Sequence, residues 1–291
     1  MFQLIGQKEE IVLVRLDLYV TKINIDIYIY LYTYMETYME KILICIFHCE
    51  ERTLELNKYC WNKLGFKNIK VFSSKSKFHE KLIEMSNFMA DKLDKYRLII
   101  KSDADEFVFT GIFDLIEKSI LYNCDLCHGY FFDKFMNKWR GSGPKVYNSL
   151  VFRAILSGKL VIKDVNKPET QLNKDMRVLK MNFKCFPIKT CLHEYEQYPS
   201  KILNTLINRY HRGHIKLYNM RNISCYDEFK CIKGYFLNYI RKVDMYSKKD
   251  CHYMDYTKYD VSYSEIENDT LESLYRKYYL LYNEKIKIRI E

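Results

Sequence analysis

Leu98–Phe109, LIIKSDADEFVF, decides the reading of this 291-residue chain. A short apolar run ends in Asp103-Ala104-Asp105-Glu106-Phe107, three carboxylates where a buried strand would surface. Alternate side chains of an extended chain share a face, so Asp103 and Asp105 are expected to point the same way and share one ion, with Glu106 and Phe107 pointing apart. All-oxygen ligands suit a hard divalent cation, Mg²⁺ or Mn²⁺, which usually keeps positions open for substrate phosphates. An isolated D-x-D is at least as often an acidic turn closing a strand, so context has to decide. Counted from Asp103, the positions where an EF-hand needs Gly and Glu hold Val108 and Asp114, which excludes that loop. A phosphatase-type D-x-D with Asp103 as nucleophile is disfavoured by Phe107.

Upstream the chain has an α/β rhythm. Ile42–Phe47, ILICIF, is a continuous apolar run of the kind that forms a parallel strand buried on both faces. A polar helical stretch over Glu51–Leu64 closes at Gly65, a residue suited to a helix C-terminus, and Asn68–Phe72 reads as a second strand. Phe78, Leu82, Met85, Met89 and Leu93 recur at steps of three and four, predicting a helix over Phe78–Leu93. Leu98–Lys101 is the third strand. Such alternation implies right-handed crossovers, a mostly parallel sheet flanked by helices, and ligands at the carboxyl ends of the strands, where Asp103 and Asp105 fall.

With those elements placed, the chain resembles the family-2-like glycosyltransferases of GT-A fold, in the branch whose metal motif reads D-x-D-E-F. The resemblance rests on FHCEERTLELNKYCWNKLGFKNIKVFSS at 47–74, with Cys49 where the family usually has Asn, and on SDADEF at 102–107, its most specific part. Gly129-Tyr-Phe-Phe-Asp133-Lys134-Phe135 with Gly141-Ser142-Gly143 is a weaker match, and Cys191-Leu-His193-Glu194 is similar to a late V-H-E. His214 through Arg221 to Asp227-Glu228-Phe229-Lys230 and Lys233-Gly234 looks like an H-Y…R-S…E-E-F…K…G ending. Together the matches span roughly residues 40–235.

The resemblance implies a sugar moved from a nucleotide diphosphate sugar donor to a glycan, lipid-linked or protein acceptor, with inversion, on Mn²⁺ or Mg²⁺. It assigns Asp105 to the metal and Asp103 to the donor ribose or a metal-bound water, with His193 or His214 completing the metal shell. A divalent ion there would stabilise the departing diphosphate as a Lewis acid. Inverting transfer needs a general base at the acceptor hydroxyl, and Asp133, Glu194 and Glu196 are the candidates, Asp133 first. Glu50 is expected to contact the donor base or ribose. Lys134, Arg140, Arg212 and Arg221 are the cations available to the phosphates.

Composition bounds these readings. The chain can bury one substantial core with appendages. Its 10 cysteines are too dilute for a disulfide scaffold and suggest a reducing, cytoplasmic setting. Cys124-x-x-Cys127 lacks the second pair and the His that a zinc site needs. The net charge of +10 comes mostly from dispersed lysines without an RNA-binding motif, which disfavours nucleic acid as a partner and leaves an anionic membrane surface as a secondary one. Residues 1–38 form an N-terminal extension. Its alternating Ile27–Met35 reads as an exposed strand, and Met35 or Met39 is an alternative start. Residues 39–235 make the catalytic domain, and 236–291 a helical extension with pieces at Phe236–Met245 and Thr270–Lys285. The alternative functions are a catalytically silent nucleotide-binding relative of the same fold and a basic RNA-binding protein.

Overall fold

The computed structural model describes residues 38–49, 51–73, 78–134, 136–165, 168–193, 195, 202–203, 206–207, 210 and 269–290. Strand β1, Ile42–His48, lies at the centre of a parallel trio with β2, Ile69–Ser73, and β3, Leu98–Asp103. Ile44, Cys45 and Ile46 are completely buried, as a strand covered on both faces requires. Helix α1, Leu54–Lys63, joins β1 to β2 and ends at Gly65, whose φ of +88° is the left-handed conformation that glycine adopts without steric cost. Helix α2, Phe78–Met89, joins β2 to β3 and buries Leu82, Met85 and Met89. It stops one turn short of the predicted Leu93 because the backbone tightens into turns, with the amides of Lys92 and Lys95 donating to the carbonyls of Met89 and Lys92. Leu93 still packs against the core from the turn, so the apolar stripe outlasts the helix.

Beyond β3 the chain builds β4, Glu106–Val108; α3, Gly111–Leu121; β5, Leu126–Asp133; β6, Lys138–Asn148; α4, Ser149–Leu156; α5, Pro168–Val178; and β7, Phe183–His193. One seven-stranded sheet results, in the order β2-β1-β3-β6-β5-β7-β4. The β1–β2, β1–β3 and β5–β7 pairs are parallel, while β3–β6, β5–β6 and β4–β7 are antiparallel. Four strand spacings separate β3 from β4 in this order, roughly 19 Å if the sheet were flat. Asp103 and Glu106 are three residues apart, a reach of at most about 11 Å. The sheet must therefore curl, bringing its last strand back over the carboxyl end of β3. Register shifts around His128 and Tyr130 let the long strands bend. Gly129 sits at that bend because a Cβ there would lie 2.6 Å from the Ile188 carbonyl oxygen and 2.7 Å from Thr190 Cγ2.

A last helix, α6, Leu271–Lys285, is capped by Thr270, whose hydroxyl accepts from the Ser273 amide at 3.2 Å. Leu274, Tyr278 and Tyr282 form its buried stripe, with Tyr278 4.8 Å from Phe107 and Tyr282 4.7 Å from Phe109 between ring centroids. The helix predicted over Thr270–Lys285 thus packs behind β4, whereas Phe236–Met245 and Ile27–Met35 lie outside the described residues. Tyr38, assigned from sequence to the extension, is 7% exposed and belongs to the core cluster with Ile42 and Phe66. Cys124 and Cys127 are buried, and burial pushes the Cys127 thiol up to about 12, the opposite of what metal or redox use requires.

Candidate functional site

The acidic stretch does not continue as a strand. β3 ends at Asp103, Ala104 and Asp105 form a turn, and Glu106 opens β4. The alternation expected to put Asp103 and Asp105 on one face is therefore broken, because the amide of Ala104 turns inward to the Phe47 carbonyl at 2.9 Å. Helix α1 locks this shape. Thr53, at its N-cap position, makes no side-chain cap and instead donates from Oγ1 to the Ala104 carbonyl at 2.9 Å. Asn57 Nδ2, on the next turn, donates to the carbonyls of Asp103 at 2.9 Å and Glu106 at 2.6 Å. Three backbone carbonyls of the turn, those of Asp103, Ala104 and Glu106, are thus satisfied from one helix end.

The three carboxylates of the turn have different surroundings. Asp103, 39% exposed at its side chain, has Oδ1 2.7 Å from Lys101 Nζ. Asp105 Oδ2 lies 3.5 Å from His193 Nε2 at the end of β7. Glu106 is buried, and its Oε2 accepts from Ser102 Oγ and from the Asp103 amide, each at 3.0 Å. Burial, then the negative charge of Asp103, lifts the Glu106 carboxyl to about 7 against the opposing pull of Lys101 and His193.

Cross-strand register brings the other candidates together. Glu106 pairs with His193 across β4–β7, and His193 pairs with Asp133 across β7–β5, so three sequence candidates or their neighbours form one row at the sheet's carboxyl rim. Asp133, expected as the general base, is fully buried. Its Oδ1 accepts from the Met136 amide at 2.9 Å and its Oδ2 lies 2.7 Å from Arg140 Nη1. Both oxygens thus have partners within the protein. Glu50, Glu194, Glu196, Arg212, His214 and Arg221 lie outside the described residues.

Beneath the turn lies a charge network that the sequence reading missed. Lys101 is 2% exposed, and its Nζ also lies 3.2 Å from Glu169 Oε1, while Glu169 Oε2 lies 2.7 Å from Lys145 Nζ. Burial presses Lys101 toward neutrality, but Asp103, Glu169 and Glu106 outweigh it and hold the ammonium above the ordinary lysine range. Burial likewise raises Glu169, yet Lys101 and Lys145 together bring it down to about 2. Lys101 was visible in sequence as a lysine inside an otherwise apolar strand, which needs a buried counter-charge; Glu169, far along the chain, carried no such signal.

Among the described residues no three His, Cys, Asp or Glu side chains converge as a metal cluster. The turn offers a two-residue set, Asp105 and His193. Mg²⁺ sites of nucleotide enzymes take one or two carboxylates and fill the rest with water and substrate phosphates, so the Asp105 carboxylate, with His193 beside it, meets the minimum such an ion requires.

No protein-family model matches the chain, and no curated protein does. Among solved structures, A197 from STIV aligns at 11% identity and a TM-score of 0.41, over 52% of this chain and 84% of that one. A glycosyltransferase involved in glycosylation of the major capsid of PBCV-1 aligns at 12% and 0.34, over 52% and 92%. A cytidylyltransferase from Leptospira borgpetersenii aligns at 14% and 0.33, over 67% and 94%. Likeness at that level identifies neither a family nor an activity for this chain.

Proposed function

We propose that this protein is a metal-dependent glycosyltransferase that binds a nucleotide diphosphate sugar at the rim formed by Asp103, Asp105 and His193. The observation that carries the reading is the clamped acidic turn: α1 holds Asp103–Glu106 in one shape, and the curled sheet brings His193 to 3.5 Å from Asp105. Such preorganisation is what an ion site needs, since the ligands do not have to be gathered when the ion arrives. A Mn²⁺ or Mg²⁺ ion between Asp105 and His193 would supply Lewis-acid stabilisation to the departing diphosphate. Asp103, the most exposed carboxylate of the turn, faces the donor side and is the group to orient ribose or a bound water. Glu106 stays behind the turn and sets its backbone. Asp133 holds Arg140 at the same rim, where the guanidinium is a counter-charge for a phosphate. The proton of the acceptor hydroxyl then falls to Glu194 or Glu196, one and three residues after His193 in sequence. The basic composition comes from lysines dispersed along the sequence and carries no nucleic-acid-binding motif.

Calorimetric titration with a panel of nucleotide diphosphate sugars, in Mn²⁺ and again in chelator, tests the reading. Wild type is expected to bind one of them only with metal, and Asp105→Asn to lose that binding while remaining folded. Equal binding in chelator, or wild-type behaviour of Asp105→Asn, would reduce the acidic turn to a structural one. Preference for a nucleoside triphosphate over every diphosphate sugar would redirect the assignment to nucleotidyl transfer.

A further inference from the structure

The acidic turn already has a cation of its own. Lys101 comes from β3 two residues before Asp103, and its ammonium is sandwiched between Asp103 and Glu169, with the rings of Phe47 and Phe78 at 5.1 and 4.8 Å. Glu169, in the first turn of α5, is shared between Lys101 and Lys145. The four groups balance: two ammonium ions face two carboxylates. A buried ammonium is strongly disfavoured unless it is paired, and the pairing here falls on the one carboxylate of the turn assigned to the donor side.

We propose that Lys101 is a positioning residue that serves as resident counter-cation of the acidic turn, holding Asp103 in the metal-free protein and opposing the divalent ion that binds beside it. This inference rests on the metal reading above. Its electrostatics carry signs that simple structural support does not. A divalent ion at Asp105 and His193 is repelled by the Lys101 charge at short range through a poorly solvated interior, where such interactions are screened far less than in water. Glu169 draws part of that charge away from the turn. Removing Lys101 therefore favours the ion, and removing Glu169 disfavours it, because Lys101 then turns wholly to Asp103. The position of α5, which carries Glu169, thereby becomes a control on how readily the rim accepts a metal.

The test titrates the full-length protein with MnCl₂ alone, by calorimetry, with thermal unfolding of each variant run in parallel. Lys101→Gln is expected to bind Mn²⁺ at least tenfold tighter than wild type, the scale of a unit charge acting on a divalent ion across about 5 Å even at the dielectric of water. Glu169→Gln is expected to bind it several-fold more weakly. The double variant Lys101→Gln/Glu169→Gln keeps the network neutral, guards against a single variant that fails to fold, and is expected to bind tighter than wild type. Unchanged or weaker Mn²⁺ affinity in both variants that lack Lys101, with wild type binding normally, overturns the inference and leaves the metal reading intact. Absence of Mn²⁺ binding in wild type and all variants overturns the metal reading itself, and the inference with it.

Discussion

Glu106 is pushed in the opposite direction from Glu169, although both carboxyls lie near Lys101. Glu106 faces Asp103 and rises to about 7, while Glu169 lies between two ammonium groups and falls to about 2. With a native pKa above the unfolded 4.5, Glu106 holds its proton in the folded state through that window, so its contribution to stability declines as pH rises from about 4.5 to about 7 and stays lost above. Glu169 behaves conversely: its contribution is present above 4.5 and is lost as pH falls toward about 2. Glu106→Gln keeps an acceptor for Ser102 Oγ and the Asp103 amide but removes the buried charge. Thermal unfolding should therefore show the variant gaining on wild type between pH 5 and pH 8, by on the order of 2–3 kcal/mol at the upper end. A constant difference across that range would mean Glu106 titrates normally. Which carboxyl titrates upward was not legible in the motif, since Asp103, Asp105 and Glu106 are equivalent until the turn at Ala104 separates them.

At the scale of elements, the first three strands and two helices were readable because each satisfies its own periodicity: β1 as a continuous apolar run, α2 as a stripe. The later strands were not. β6 contains Gly141, Gly143 and Pro144, and β7 contains Pro187, residues that read as loop; the antiparallel pairings and the bend around Gly129 absorb them. The clamp on the acidic turn was hidden for a related reason. Thr53 looks like an ordinary helix cap, and only the fold shows its hydroxyl donating to the Ala104 carbonyl instead. Asn57→Leu should therefore loosen the turn more than α1 itself: helix content persists by circular dichroism, while stability drops by about 2 kcal/mol as two buried carbonyls lose their donor. Gly129→Ala should cost a similar amount, about 1–3 kcal/mol, since its methyl meets the Ile188 carbonyl oxygen and the Thr190 side chain. A Gly129→Ala protein of undiminished stability would show that the bend can shift freely.

Across the whole molecule, the termini of the sequence contribute unequally. Tyr38 packs in the core and Met39 against it, so a truncation that removes them should lose stability that one ending at Met35 retains. At the other end, α6 places Tyr278 on Phe107 and Tyr282 on Phe109, and Tyr282 Oη donates to the Lys189 carbonyl at 2.7 Å. Tyr278→Ala should cost about 3 kcal/mol, the usual penalty for emptying a buried aromatic site, and a stop codon before Thr270 should yield a protein that does not melt cooperatively. Retained cooperative melting of that truncation would make α6 an accessory. Among the described residues no helix is long and apolar enough to cross a membrane.

The curl that returns β4 to the end of β3 also sets a timetable for synthesis. Asp103, Asp105 and Glu106 leave the ribosome early, but among the described residues β4 pairs with the end of β7 alone, and Phe107 packs against Tyr278 of α6, near the far end of the sequence. Closing contacts so distant in sequence is the slow part of folding. A nascent chain halted before β7 would carry the whole acidic motif, yet neither His193 nor the strand that holds Glu106 in place. Ion and donor capture on this reading is thus deferred until translation is nearly complete, and an unfinished chain presents its charges without a site.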